Sequence, residues 1–296
     1  MTISIILSRK GFDSSAGKVA SPIFPDGTMV SLPIPRERPY PREGYPTYDA
    51  LSFNEKPLAR IVDDLVRRRC LPTRFPHVDP DLRACTLPRM PGWRPVFGQR
   101  GASQSHLVRH GVAVDDLFLF FGWFRRVEDA RGRWRFVRGE RDLHVIFGWL
   151  QIGQVRNVRL RRDADRIPEW AKYHPHWQDR SADRYGDKNT IYISREKLAP
   201  GGVETGLAGA GVFPYRDKLC LTKSGSDKRG VWRLPEWFYP DAGKPQLTYH
   251  RNMKRWSKDD GHAILQSASR GQEFVLDCAH YPEAIAWVRE LIAGDR

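Results

Sequence analysis

Two long apolar runs constrain this chain more than anything else in it. Residues 114–124 include Leu117, Phe118, Leu119, Phe120 and Phe121 without polar alternation, and residues 144–155 repeat the pattern around Val145, Ile146 and Phe147. A strand that is apolar on both faces has to be covered on both faces. These runs therefore demand a buried sheet between two layers. The 296 residues, with 14 Phe, 10 Trp and 10 Tyr, hold enough apolar material to build one. Glycines within the second run permit a bend or bulge. Arg131-Gly132 reads as a turn, with residues 134–137 pairing back, and residues 189–194 read as another strand. Adjacent strands of this kind predict part of a small, curved β-barrel.

Around this centre the signals are mixed. Residues 2–8 read as a strand. Leu58, Ile61, Val62, Leu65 and Val66 follow the i, i+3, i+4, i+7 spacing of a helix, with Pro57 at its start. Residues 104–110 read as a short helix, and a last helix starts at Pro282 and Glu283, with Ala284, Ile285, Val288, Leu291 and Ile292 on its apolar face. Residues 33–47 carry five prolines and read as an extended connector. Residues 71–100 are rich in proline and show little periodicity. Residues 230–238 read as a Pro-marked turn with two tryptophans, and residues 247–250 as a strand end. The expected fold is α+β and β-rich. A small barrel in the middle packs with N- and C-terminal α/β elements in a single domain over residues 1–296.

Charge narrows the partners. Forty-nine Lys and Arg against 35 Asp and Glu leave a formal net charge of +14. Such a surface favours polyanions, chiefly nucleic acid, because each phosphate contact releases counterions. DNA or a nucleotide is the expected partner, with RNA a further candidate. No apolar run reaches the length of a membrane span, and the N-terminus does not have the order of a signal peptide. The four cysteines, Cys70, Cys85, Cys220 and Cys278, form no CxxC pair. A cytoplasmic protein with reduced thiols is expected. His77, Asp79 and Asp81 supply donor types a metal uses, but on a Pro-bounded stretch they read as a surface turn or cap. No metal is assigned, and the cofactor is left open.

The densest polar stretch follows the first strand. Residues 8–17 hold Arg9, Lys10, Asp13, Ser14 and Ser15 between Gly11 and Gly17, and Asp26-Gly27 marks a hairpin turn just beyond. Backbone N–H groups between the glycines, with both serine hydroxyls, can wrap a phosphate as an anion nest. Lys10 can hold an anion as a point charge, and Asp13 can act as a base. The same residues also make an Asx-turn with serine caps. Neither a phosphate-binding GxxxxGK[ST] loop nor a GxGxxG fingerprint is present.

Residues 7–17, continued by Ser21-Pro22-Ile23 and Phe24-Pro25-Asp26-Gly27-Thr28, resemble the opening of the third nucleotide modification-associated domain family. Arg270-Gly271-Gln272-Glu273-Phe274-Val275 resembles a later segment of it. The resemblance implies a phage or bacterial protein of DNA base hypermodification, acting as a transferase or hydrolase of unspecified reaction. By side-chain chemistry, with the resemblance adding weight to the loop and to Glu273, Lys10, Asp13, Glu273 and His250 are the candidate catalytic residues. Arg9, Ser14, Ser15, Asp26, Arg251, Arg270 and Gln272 are the candidate substrate- or phosphate-binding residues. Residues 111–195 also follow the rhythm of PUA-like barrels such as the EVE and ASCH domains. Asp115-Asp116 stands at the acidic step and His174-Pro175 at the later His-Pro. That likeness implies a second function, reading modified bases or RNA without catalysis, with Phe121, Trp123, Trp149 and His174 as the stacking surface and Arg156, Arg159, Arg161 and Arg162 as its rim. The two functions differ in geometry. An enzyme brings the loop at 8–17 and Glu273 into one place, whereas a reader opens the central aromatics to solvent.

Overall fold

The computed structural model describes residues 3–36, 45–66, 74–158, 166–178, 188–241, 244–245, 247–269 and 271–294. In chain order the elements are β1 (Ser4–Arg9), β2 (Ser21–Ile23), β3 (Ser52–Phe53), β4 (Lys56–Pro57), α1 (Leu58–Val66), β5 (Val96–Arg100), α2 (Gly101–Arg109), β6 (Leu117–Asp129), β7 (Trp134–Phe136) and β8 (Leu143–Asn157). There follow α3 (Pro175–Gln178), β9 (Asn189–Ser194), β10 (Ala210–Val212), β11 (Val231–Pro235), β12 (Trp256–Asp259), β13 (His262–Gln266), β14 (Glu273–Asp277) and α4 (Glu283–Ala293). The fold is the mixed, β-rich α+β class that the sequence implies. No helix among the described residues is long and apolar enough to cross a membrane.

One large sheet runs in the order β14-β1-β6-β8-β9-β5, with β2 and β7 added to β6 and β10 to β8. The two runs that dominate the sequence become β6 and β8, antiparallel neighbours at its centre. Phe118, Phe120, Val145, Ile146 and Leu150 are completely buried there. The sheet is strongly curled. Phe97 on the far edge strand β5 packs against Phe118 and Phe120 of β6 at 4.9 and 5.2 Å between ring centroids. Two register shifts help it bend, one between Phe120 and Phe121 on β6 and one between Ile152 and Gln154 on β8. At the second, a Cβ on Gly153 would lie 2.8 Å from the Ser194 carbonyl oxygen, so only glycine fits. β14 and β5 end the strand order, and no backbone ladder joins them. A side-chain bond crosses this seam instead, and α2 packs on both β5 and β14 beside it.

A second sheet, β11-β13-β12, covers the outer face of β1, β6 and β14. Trp232 meets Phe121 at 5.0 Å and Phe274 at 6.0 Å. Residues 231–235 are thus a strand rather than the turn the tryptophans and Pro235 suggest. Their prolyl residue ends the pairing with His262. Residues 247–250 form a turn, not a strand end, with His250 N–H closing on the Leu247 carbonyl at 3.0 Å. A separate apolar cluster joins Phe12, Phe24, Leu32, Tyr48 and the buried face of α1, which has the predicted Leu58, Ile61, Val62 and Leu65 stripe. α4 packs Ala284, Val288 and Leu291 into the main core and ends at Gly294, whose φ of +74° favours glycine.

Candidate functional site

β1 and β14 run antiparallel with Ser8 opposite Glu273, so both side chains share one face. That face is the concave one. Lys10 follows β1 directly, and its Nζ donates to Glu273 Oε1 at 2.8 Å. The pair is 9% and 0% exposed, so the attraction acts with little solvent screening. Lys10 Nζ also stands 4.5 Å from the centre of the Phe97 ring, a cation–π contact. From β5, across the seam, Gln99 Nε2 donates to the same Glu273 oxygen at 2.5 Å. Gln99 is oriented by its own Oε1, which accepts the Arg100 N–H at 2.9 Å, so its amide can only present the NH₂. Two polar atoms on this face are buried without a protein partner, Ser8 Oγ and Glu273 Oε2. A carboxylate oxygen and a hydroxyl side by side suit a group that carries both a donor and an acceptor, as a nucleobase edge does.

The rest of the loop after β1 is engaged internally. Asp13 Oδ1 accepts from Ser15 N–H, Ser15 Oγ–H and Ala16 N–H at 2.7–2.8 Å. Asp13 N–H bonds the Ala16 carbonyl, and Phe12 N–H bonds Leu32. Asp13 thus occupies the Ser15 and Ala16 N–H groups, two of those that would wrap a phosphate, in the Asx-turn arrangement. The loop closes over the buried Phe12 ring. Gly17, at φ +78°, leaves room for it, because a Cβ there would lie 2.2 Å from that ring. Ser14 and Ser15 are exposed, and Asp26 caps the next turn by accepting the Thr28 N–H at 2.8 Å.

Arg9 points to the opposite face of β1. Its guanidinium donates to the Ala268 and Ser269 carbonyls at 2.7 and 2.9 Å and stands 5.7 Å from both the Phe121 and Phe274 rings. Burial lowers its pKa despite the nearby Asp13. His250 lies on that same outer side, against Phe274 at 4.6 Å, whereas Glu273 faces inward. Its Nε2 accepts the Ala268 N–H and its Nδ1 donates to the Thr248 carbonyl, both at 2.9 Å. Burial holds this ring neutral, with its pKa pushed down to about 4. With both nitrogens engaged, His250 supports the 268 loop and does not join Lys10 and Glu273. Arg251 is exposed and lines a separate cleft with His110 and His280 beside Asp277, at the other end of β14. Gln272 is exposed at the seam, where its Oε1 lies 3.5 Å from Ser103 Oγ in the first turn of α2. Arg270, Arg159, Arg161 and Arg162 lie outside the described residues.

The central aromatics do not open to solvent as a stacking surface requires. Phe121 and His174 are completely buried, Phe121 under Trp232 and His174 beside Asp79. Trp149 is half-buried over Phe213 and Gly211, with its indole N–H on the Ala208 carbonyl. Trp123 is half-buried, and the Arg229 guanidinium covers its ring at 4.3 Å. Sequence reasoning missed Gln99 because β5 lies in a proline-rich stretch without periodicity. The Val96-Phe97 pair was its one strand signal. It also missed an aromatic cleft of about 410 Å³ between β2, α1 and β7, where Phe24 stacks on Phe53 at 5.4 Å and meets Trp134 edge-on at 4.7 Å.

Residues 4–277 match the family model described as nucleotide modification associated domain 3. The chain belongs to this family. The match begins on the first residue of β1 and ends on the last residue of β14, and those two residues, Ser4 and Asp277, are paired neighbours. The residues matched to nucleotide modification associated domain 3 thus span the whole curled sheet, from its first strand in the chain to its last. No curated protein and no solved structure shows significant similarity to the chain.

Proposed function

We propose that this protein modifies a base of DNA or of a nucleotide, and that Lys10, Glu273 and Gln99 form the group that holds the reacting base. One observation carries this. The two family-like stretches, 263 residues apart in the sequence, meet in a buried ion pair that leaves Glu273 Oε2 and Ser8 Oγ without partners. In this reading Glu273 Oε2 accepts an N–H of the base and is placed to take its proton, and Lys10 holds the other carboxylate oxygen in position. Gln99 fixes the carboxylate plane. The exposed Gln272 and Ser103 mark the nearest surface, and the basic exterior attracts the phosphates. A group transfer and a hydrolysis are both compatible with this arrangement. Binding without chemistry is favoured by one feature, the cleft of Phe24, Phe53 and Trp134, which Lys56 and Arg60 flank with positive charge.

Mass spectrometry of nucleosides from cells expressing the wild type or Glu273→Gln separates the two. A nucleoside of altered mass with the wild type, absent with Glu273→Gln, is the expected result. Unchanged nucleosides, together with oligonucleotide binding that is lost in Trp134→Ala, would overturn catalysis and support the reader.

A further inference from the structure

On the face of β5 opposite Gln99, four side chains from two segments converge. They are His77, Asp79, His174 and His176, of which the last three are 5% exposed or less at their side chains. We propose that His77, Asp79 and His176 bind a divalent first-row metal ion. The Nε2 atoms of His77 and His176 lie 3.7 and 3.5 Å from Asp79 Oδ2, and the three donor atoms lie within 4.8 Å of one another. A tetrahedral ion with bonds of about 2.1 Å sets its ligand atoms about 3.4 Å apart.

The hydrogen bonds behind these atoms decide which of them carry protons. Asn189 donates its NH₂ to the His176 carbonyl at 3.0 Å, so its Oδ1 faces His176 Nδ1 at 2.7 Å. His176 Nδ1 must then hold the ring proton, and Nε2 presents a lone pair to a carboxylate oxygen. Asp79 Oδ1 is already taken by the Gly98 N–H at 2.8 Å. His174 Nδ1 faces the His176 N–H at 3.4 Å, which places its proton on Nε2, and that atom points at the same Oδ1 from 3.4 Å. It is completely buried and has no well-aligned hydrogen-bond partner. The Gly98 and His174 donors are thus directed at Oδ1, while Oδ2 and the His176 lone pair face each other across 3.5 Å. Two acceptors so placed repel unless a cation lies between them. An imidazole whose other nitrogen is held by an amide oxygen is the arrangement that orients a metal ligand.

The backbone is cut to fit this cluster. A Cβ on Gly98 would lie 2.3 Å from His176 Cδ2 and 2.9 Å from His174 Cε1. Asp81, two residues beyond Asp79, is excluded as a ligand. Arg89 holds both its oxygens at 2.7 Å, and the Tyr173 hydroxyl donates to one of them. Two imidazoles and one carboxylate favour Zn²⁺, Fe²⁺ or Co²⁺ over the all-oxygen preference of Mg²⁺ and Ca²⁺. A cavity lined by Ser31, Pro33, Val78, Leu82 and Phe147 borders Asp79. Gly98 and Gln99 are consecutive. An ion here would also fix the strand that holds Gln99 against Glu273.

Full-length protein, stripped with a chelator and titrated with Co²⁺ alone, tests this. One equivalent should bind with ligand-field absorption, be displaced by Zn²⁺, and raise the thermal unfolding midpoint. His77→Ala, at the partly exposed rim of the cluster, should abolish uptake. Asn189→Ala should weaken it about 10- to 100-fold, and His280→Ala, an exposed histidine elsewhere, should leave it unchanged. Failure of the wild type to take up Co²⁺, or unaltered uptake by His77→Ala, would overturn the site.

Discussion

Lys10 and Glu273 stabilise the seam only as a pair. Each has been taken out of water, and the cost of that is recovered through their contact and through Gln99. Lys10→Met keeps the stem that covers Phe97 but leaves the carboxylate buried without its cation. Unfolding in urea should show a loss of about 3–5 kcal/mol for this variant. Adding Glu273→Leu to it should restore part of that stability, because the uncompensated charge is gone although the Gln99 NH₂ loses its acceptor. A double variant as unstable as the single one would mean that the pair is not a coupled unit. Any activity measured alongside must stay absent in the stable double variant if the polar atoms, and not the fold, carry the function. These two residues were legible in the sequence because each stands beside a strong local signal, Lys10 at the end of an apolar strand and Glu273 at the head of one. His176 was not, and Asp79 is legible there only as a donor type on a stretch that reads as a turn or cap. Their meaning comes from contacts made across about a hundred residues, which no spacing rule sees. Phe121 and His174 failed in the other direction, since an aromatic on a central strand is more readily core than surface.

Elements were read well where their period was long and undisturbed. The alternation-free runs gave β6 and β8, and the 3.6-residue stripes gave α1 and α4, because burial on defined faces is what produces those patterns. β5 was lost because five residues after a run of prolines cannot display a period. β12 and β13 were lost because their exposed Ser257, Lys258 and Asp259 dilute it. Their hairpin turn, Asp260-Gly261 with both φ angles positive, was the available signal. The loop after β1 shows that a polar, glycine-bounded stretch can be architecture. Its glycines are needed because Phe12 fills the space beneath them. Gly17→Ala puts a methyl group against that ring and a side chain at φ +78°. A loss of more than about 1 kcal/mol is expected in thermal or urea unfolding. Wild-type stability in Gly17→Ala would mean that the loop is held by something other than Phe12.

Across the molecule His144, His250 and His106 are held in the neutral form, and that shapes how it responds to acid. Burial pushes His144 down to about 3, and His250 and His106 down to about 4. Each ring is bonded as a neutral group, His144 to the Trp232 indole and His106 to the Thr248 hydroxyl. In the unfolded chain these rings take up protons near pH 6.5. Between about pH 6.5 and pH 4 the unfolded state therefore binds more protons than the folded one, and stability falls as the pH falls. Each such proton contributes a slope of up to about 1.4 kcal/mol per pH unit. Asp116 has the opposite sign. Burial raises it to about 6 against the bonds it accepts from Ser4 and Ala113, so the folded state holds its proton more tightly and gains as the pH drops from about 6 to about 4. Three histidines outweigh one carboxylate, so the net change is a loss. Urea midpoints measured at pH 7, 5.5 and 4.5 should decrease in that order, and His250→Gln should flatten the decline. A midpoint that holds or rises on acidification would show that these rings are not kept neutral by the fold.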